Sequence, residues 1–393
     1  LHRNCVKINV GGSGGAEIIK GTNKTVHNAG PSMLIKELSK SGHGCYSDVI
    51  VLDEVDKATP DFFNALYEFL DPNEEYIYDQ YLECHIPKNN FIVVLTFNEI
   101  SCIPLPIRDR MEIIEYSNYS IQDKKVIITN YILPKLKVKF GLEALSIDSD
   151  ALDLYVNQYD ILPGMREVER DFEFILMSLA RAGNGELKDT VTINKLLLQD
   201  VLGEIRTIGL NDIPPQSVGK CGMAQALAIT SGGIGVSTAV ETVINPYQDK
   251  DVVVTGLLEG SCLESVSLAC CFASNYMKKK LPKLHVHMTD AVKKDGPSAG
   301  ITIVMSMLSC LLEKPLPNIA FTGSIDLYGN VGPVGGVFEK CIAAERALVE
   351  KVIVPAECYR RLVDRKEIDR LNIEVIPVNT VEEVVGYIWD EEV

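Results

Sequence analysis

The sequence predicts an α/β protein in three stretches, and three observations carry that reading. Residues 1 to 117 alternate strand-like and helix-like segments, as layered α/β architecture requires. Residues 118 to 205 are helix-rich, and residues 206 to 393 return to alternating β and α segments. Gly203 to Val218, with Pro214-Pro215, is the best linker candidate between the last two stretches.

The elements that matter can be taken in order. Asp48 to Glu54 is an apolar run ending in two carboxylates, Asp53 and Glu54. That is the shape of a Walker B strand, buried on both faces and presenting acids at its carboxyl end beside a nucleotide. There an aspartate holds Mg²⁺ and a glutamate polarises the attacking water. Thr59-Pro60 predicts a helix start, with Thr59 as N-cap. Phe91 to Phe97 is a second such strand, followed by the polar Asn98.

In the last stretch, Leu284 to Met288 reads as a strand with His285 and His287 on one face. Thr380 and Glu383 have the spacing of a capping box for a final helix. Between these lies the most informative segment, Lys293 to Gly300. Ser298 is flanked by glycines, where a loop turns into the apolar run Ile301 to Leu312, long enough for a helix and free of Pro and Gly. Backbone N–H groups at such a helix start can hold a developing oxyanion, which suits a nucleophile.

Gly296 to Gly300 satisfies G-x-S-x-G, the nucleophile elbow of α/β-hydrolases. That chemistry needs a histidine after the serine, and all six histidines precede Ser298. A lysine base remains, since Ser-Lys is a recognised variant. Lys340 follows Gly335-Gly336 in the first turn of the helical run Val337 to Val349. The helix dipole and burial both disfavour its ammonium form, as a general base requires.

Composition bounds the partners. The chain has 393 residues, 46% of them hydrophobic, so large cores can be buried. No uninterrupted apolar run approaches the ~18 residues of a spanning helix. A net charge of −16 gives nucleic-acid binding no support, and Lys278-Lys279-Lys280 is more simply a solvated face. Eleven cysteines without a CxxC suit an intracellular, reducing compartment. The sequence opens on Leu1 rather than methionine and reads as a fragment.

Two blocks carry a family resemblance. Lys294-Asp295-Gly296-Pro297-Ser298-Ala299-Gly300 and Pro333-Val334-Gly335-Gly336-Val337-Phe338-Glu339-Lys340, with Thr322-Gly323-Ser324 between them, resemble the proteolytic domain of Lon, the ATP-dependent AAA+ serine protease. The resemblance implies Ser298 as nucleophile and Lys340 as base, with Thr322, Asp295 and His287 supporting. It extends upstream. Asp53 and Glu54 match Walker B, Asn98 sensor 1, Arg110 in Ile107-Arg108-Asp109-Arg110-Met111-Glu112 the arginine finger, and Arg166 in Pro163 to Arg170 sensor 2. It thus implies an AAA+ α/β subdomain (1–117) incomplete at its N-terminus, an α-helical lid (118–205) and an α+β proteolytic domain (206–393). It further implies ATP and Mg²⁺ as cofactors, unfolded or damaged proteins as substrates, and a homo-hexamer. The compartment would be the mitochondrial matrix in a eukaryote or the cytoplasm in a bacterium.

The sequence also departs from the family. No G-x-x-x-x-G-K-[ST] occurs in residues 1–393, so the expectation is that this polypeptide does not hydrolyse ATP by itself. The pore-loop tyrosine aligns with Val26, the T-G-E acid with Ser324, and Thr255 to Gly260 reads as a scrambled T-G-x-L-G-[DE]. At the level of sequence two other readings stay open. One is a chaperone-like AAA+ scaffold with a decayed protease site, the other an ATP-independent Lon-like peptidase.

Overall fold

The computed structural model describes residues 5–11, 14–40, 49–88, 91–160, 162–183, 187, 189–203, 219–230, 233–256, 260–289 and 296–389. The chain forms two compact units, Leu1–Tyr116 and Ser117–Val393.

In the first unit the order is β1 (Cys5–Asn9), α1 (Glu17–Lys20), α2 (Met33–Lys40), β2 (Val49–Asp53), α3 (Pro60–Phe69), β3 (Tyr76–Asp79), β4 (Cys84–Pro87), β5 (Ile92–Leu95) and α4 (Leu105–Arg108). β1, β2 and β5 form a parallel sheet with β2 in the centre. Ile8, Ile50 and Leu52 pack with Phe62, Leu66 and Leu34 in one core. The expectation of strands buried on both faces fails for β5, which alternates exposed and half-buried side chains. It is an edge strand of a three-stranded sheet, and among the described residues its Ile92 and Val94 face is left exposed. Thr59 has extended backbone ahead of α3 but is not its side-chain cap: its hydroxyl donates to Gly14 O at 2.6 Å. Lys88 and Arg110 instead serve the far end of α3, Lys88 Nζ donating to Phe69 O (3.0 Å) and Asp71 O (2.8 Å).

The second unit begins with helices. α5 (Ile121–Ile127) and α6 (Leu133–Phe140) are joined through one π-helical turn, then come β6 (Ala144–Ile147), α7 (Ser149–Leu154), α8 (Arg166–Ala182), β7 (Thr190–Ile193) and α9 (Lys195–Leu202). Its sheet-bearing part runs β8 (Met223–Ile229), β9 (Gly235–Ile244), β10 (Val252–Thr255), α10 (Gly260–Met277), β11 (Leu284–Met288), α11 (Gly300–Leu312), β12 (Ile319–Phe321), β13 (Ser324–Ile325), β14 (Val331–Gly332), α12 (Val337–Arg346), β15 (Lys351–Pro355), α13 (Ala356–Asp364), β16 (Glu374–Val378) and α14 (Val381–Trp389). Seven strands form one mixed sheet in the order β10-β11-β9-β8-β12-β15-β16.

Alternation along the strands assigns the layers. Ile319, Phe321 and Ile353 belong to the core shared with α10, α11 and α14, whereas Ala320, Val352 and Val354 belong to the core shared with α12 and α13. The second core continues without a break into Ile128, Tyr155, Phe172 and Leu198 of the helical stretch. α11 is apolar all round, as a helix enclosed on every side must be. Its hydroxyls are all used inside: Thr302 on Phe321 O (3.2 Å), Ser306 on Gly222 O (2.8 Å) and Ser309 on Lys314 O (2.6 Å). α12 crosses β9 so closely that a Cβ on Gly235 would lie 1.9 Å from Glu339 O. Only glycine allows that approach.

Candidate active site

The site is built at the carboxyl end of β12. The strand ends at Phe321, and Thr322 N still donates to Ile353 O (3.1 Å), so the next two residues continue in a fixed place. Gly323 N donates to Ser298 O at 2.9 Å, and Ile301 N donates to Gly323 O at 3.1 Å. These bonds tie the 3₁₀ turn Pro297–Ala299, which carries Ser298 into α11, to the strand end. Gly296 precedes the turn at φ 116°, a conformation closed to other residues.

Lys340 arrives from the opposite layer, as the fourth residue of α12. Its Nζ donates to Thr322 Oγ1 at 3.1 Å. Thr322 and Lys340 are 0% and 2% exposed, while Ser298 is half-buried. Burial pushes the Lys340 pKa down to about 8; Cys358, Cys341 and Glu339 pull the other way. Adjacent residues of one turn, Thr322 and Gly323, thus hold the lysine and the serine turn respectively. The arrangement offers an amine that loses its proton near neutrality and a hydroxyl at a helix start.

His287 lies elsewhere in the sheet. Thr255 Oγ1 bonds both His285 Nε2 (2.9 Å) and His287 Nδ1 (2.8 Å). β9 and β8 separate β11 from β12, a lateral step of about 14 Å. Asp295 and Glu259 lie outside the described residues. Ser324, where the family has an acid, pairs with Gly332 in the short β13–β14 ladder.

Sequence reasoning missed three partners of α12. Cys358 Sγ donates to Val334 O and accepts from Val334 N, both at 3.4 Å, fixing the turn ahead of Gly335. Asn118 bonds Glu339, and Arg370 covers Phe338. No local pattern announces any of them.

The expected nucleotide residues are distributed over both units. In the first, Asp53 ends β2, accepts from Thr96 Oγ1 (2.5 Å) and pairs with Lys7 (2.6 Å). Glu54 follows at φ 57° and pairs with Lys57 (2.8 Å). Asn98 is exposed after β5. Arg110 is engaged within its own unit, donating to Tyr67 O (3.0 Å) and Asp71 Oδ2 (3.1 Å) with its guanidinium 3.9 Å from the Tyr67 ring centroid. In the second unit, Arg166 opens α8 and is exposed. Arg170 pairs with Glu167 (2.6 Å), whereas Asp171 turns inward to accept from Tyr155 OH (2.8 Å). Asp53 and Glu54 have the donor chemistry for Mg²⁺. Residues 1–393 hold no G-x-x-x-x-G-K-[ST] phosphate cradle, so these residues alone do not fit a bound nucleotide. No described helix is long and apolar enough to cross a membrane.

Fold and site together define a class: a mixed α/β chain that couples an AAA domain to a proteolytic domain. Residues 192–390 match the Lon protease (S16) C-terminal proteolytic domain, and residues 16–111 match an AAA domain of the dynein-related subfamily. The chain belongs to the Lon protease family. It is 33% identical to the mitochondrial Lon protease homolog of Homo sapiens over 420 residues, covering 100% of this chain and 43% of that protein. It is 33% identical to Lon protease of Clostridioides difficile over 406 residues (98% and 50%) and 32% identical to Lon protease 3 of Sorangium cellulosum over 410 residues (97% and 47%). The chain therefore spans about half the length of the relatives it matches.

Proposed function

We propose that this chain carries the peptidase site of an ATP-dependent serine endopeptidase of the Lon type, with Ser298 as nucleophile and Lys340 as general base. The observation that carries the reading is the sealed Lys340, held by Thr322 beside the turn that carries Ser298. Neutral Lys340 takes the Ser298 proton as the hydroxyl attacks a peptide carbonyl. Backbone N–H groups near Ser298 meet the oxyanion, and as the C–N bond breaks Lys340 gives that proton to the leaving amine; the neutral lysine then takes a proton from the water that attacks the acyl-enzyme and hands it to the departing Ser298 oxygen. Thr322 orients the amine; Asp295 and His287 are supporting residues on the family pattern alone.

The wider reading follows the family. Residues 1–117 form the AAA+ α/β subdomain, 118–205 its helical lid and 206–393 the proteolytic domain. In the complete protein, Asp53 and Glu54 serve Mg-ATP together with Asn98, Arg110 and Arg166. There Mg-ATP hydrolysis would drive unfolding and the translocation of unfolded or damaged proteins into a homo-hexameric chamber. The human relative is named mitochondrial, which favours the matrix for a eukaryotic chain; a bacterial one would be cytoplasmic.

Casein and fluorogenic-peptide cleavage by the unaltered protein, Ser298→Ala and Lys340→Ala, with and without Mg-ATP, tests the reading. Loss of cleavage in both variants supports the dyad. An assembled ring of unaltered protein that cleaves nothing would overturn it in favour of a scaffold.

A further inference from the structure

The first turn of α12 is gripped by residues far from it in sequence. Asn118 Nδ2 donates to Glu339 Oε1 at 3.0 Å, and the Arg370 guanidinium lies 4.8 Å from the Phe338 ring centroid. Phe338 and Glu339 immediately precede Lys340. Both contacts lead to one short stretch. Arg370 donates to Ser117 Oγ (2.6 Å), to Asn118 O (2.5 Å), and twice to Asp123 Oδ2, through Nε (2.9 Å) and Nη2 (2.6 Å).

That stretch is itself well fixed. Ser120 and Asp123 form the capping box that opens α5, with Ser120 N donating to Asp123 Oδ2 (2.9 Å) and Asp123 N to Ser120 Oγ (3.1 Å). Lys124, next in the chain, lies 2.8 Å from Asp160 Oδ2 with both side chains 1% exposed. Asp160 O accepts from Arg346 Nη2 at 3.1 Å, and Arg346 is the last residue of α12. Residues 117–160 thus hold α12 at both ends.

We propose that Ser117–Lys124 is a positioning strap for the base, Asn118 acting on Lys340 through Glu339 and Arg370 acting through Phe338. The proposal rests on reading Lys340 as the base. α12 starts from Gly336, whose left-handed backbone turns the chain sharply into the helix, and Asn118 and Arg370 bear on the first turn that follows. Neither Asn118 nor Arg370 bonds Ser298, Thr322 or Lys340. They are positioning residues, and through them a movement of the helical stretch reaches the peptidase site.

The test is peptide hydrolysis by Asn118→Asp, which keeps the shape but sets a like charge against Glu339. Misplacing a base by about 1 Å costs up to roughly a hundredfold in rate, so kcat should fall about tenfold or more with KM nearly unchanged. Combining Asn118→Asp with Glu339→Gln rebuilds the hydrogen bond with its direction reversed and should restore most of kcat. Should Asn118→Asp fold poorly by thermal melting, Asn118→Ala and Arg370→Lys carry the same test without adding a charge. The strap is overturned if kcat stays within about twofold of the unaltered protein, or if it falls with no recovery in the double variant. Lys340→Ala, run alongside, separates the two readings: full activity there removes the base assignment and the strap with it. A dead Lys340→Ala beside a fully active Asn118→Asp removes the strap alone.

Discussion

Lys340 Nζ donates to Thr322 Oγ1 at 3.1 Å, and neither residue is more than 2% exposed. An ammonium there would carry three protons toward a single hydroxyl acceptor among the described residues, so burial favours the neutral amine. The kcat of peptide hydrolysis should therefore rise with pH through about 8 as Lys340 loses its proton, and level off above. A kcat profile that is flat across this range would remove Lys340 as base.

The same burial has a stability sign. The folded pKa of about 8 lies below the ordinary 10.5, so between these values the unfolded chain binds more protons and stability rises with pH. Below pH 8 the native state bears the full penalty, on the order of 3 kcal/mol. Lys340→Met should abolish activity, raise the melting temperature by a few degrees near pH 7 and flatten its pH dependence. A lower melting temperature would show that the amine contributes net stability.

Thr322→Val should keep the fold and lose the lysine's acceptor. We expect kcat to drop roughly tenfold or more with KM little changed, and Thr322→Ser to retain most of the rate. Equal losses in both variants would mean that the methyl group, not the hydroxyl, matters.

Gly235→Ala pushes a methyl against the Glu339 carbonyl, a backbone atom that cannot swing away. The expected cost is about 2 kcal/mol or more, with activity falling further than stability because α12 must lift. Thermal melting and peptide hydrolysis measured together would show it; an active, equally stable variant would contradict the observed approach.

Lys124 and Asp160 form an enclosed ion pair, and burial moves each toward its neutral form. Lys124→Met alone strands a carboxylate and should cost about 3–5 kcal/mol, whereas Lys124→Met with Asp160→Leu should regain most of it. Denaturant titration of the single and double variants distinguishes these outcomes.

Much of this was legible in the chain. The Gly-flanked Ser298 before the largely apolar run Ile301 to Leu312 marks α11 and its serine, and the Gly335-Gly336 turn marks the start of α12 with Lys340 in its first turn. Both signals are local. What stayed hidden is set by distant partners: Asn118 meets Glu339 across 221 positions, and Thr59 gives its hydroxyl to Gly14 rather than to its own helix. Phe91 to Phe97 reads as a strand buried on both faces because its apolar composition carries no mark of the exposed face that β5 shows. Asp171 is likewise placed by a partner sixteen residues earlier, accepting from Tyr155 OH.

The serine's helix and the lysine's helix lie on opposite faces of one sheet and converge only past the end of β12. A newly made chain that has closed just one of its two cores owns a hydroxyl without a base, or an amine still in water and fully protonated. On the proposed reading of the dyad, reactivity would be deferred until both layers are complete.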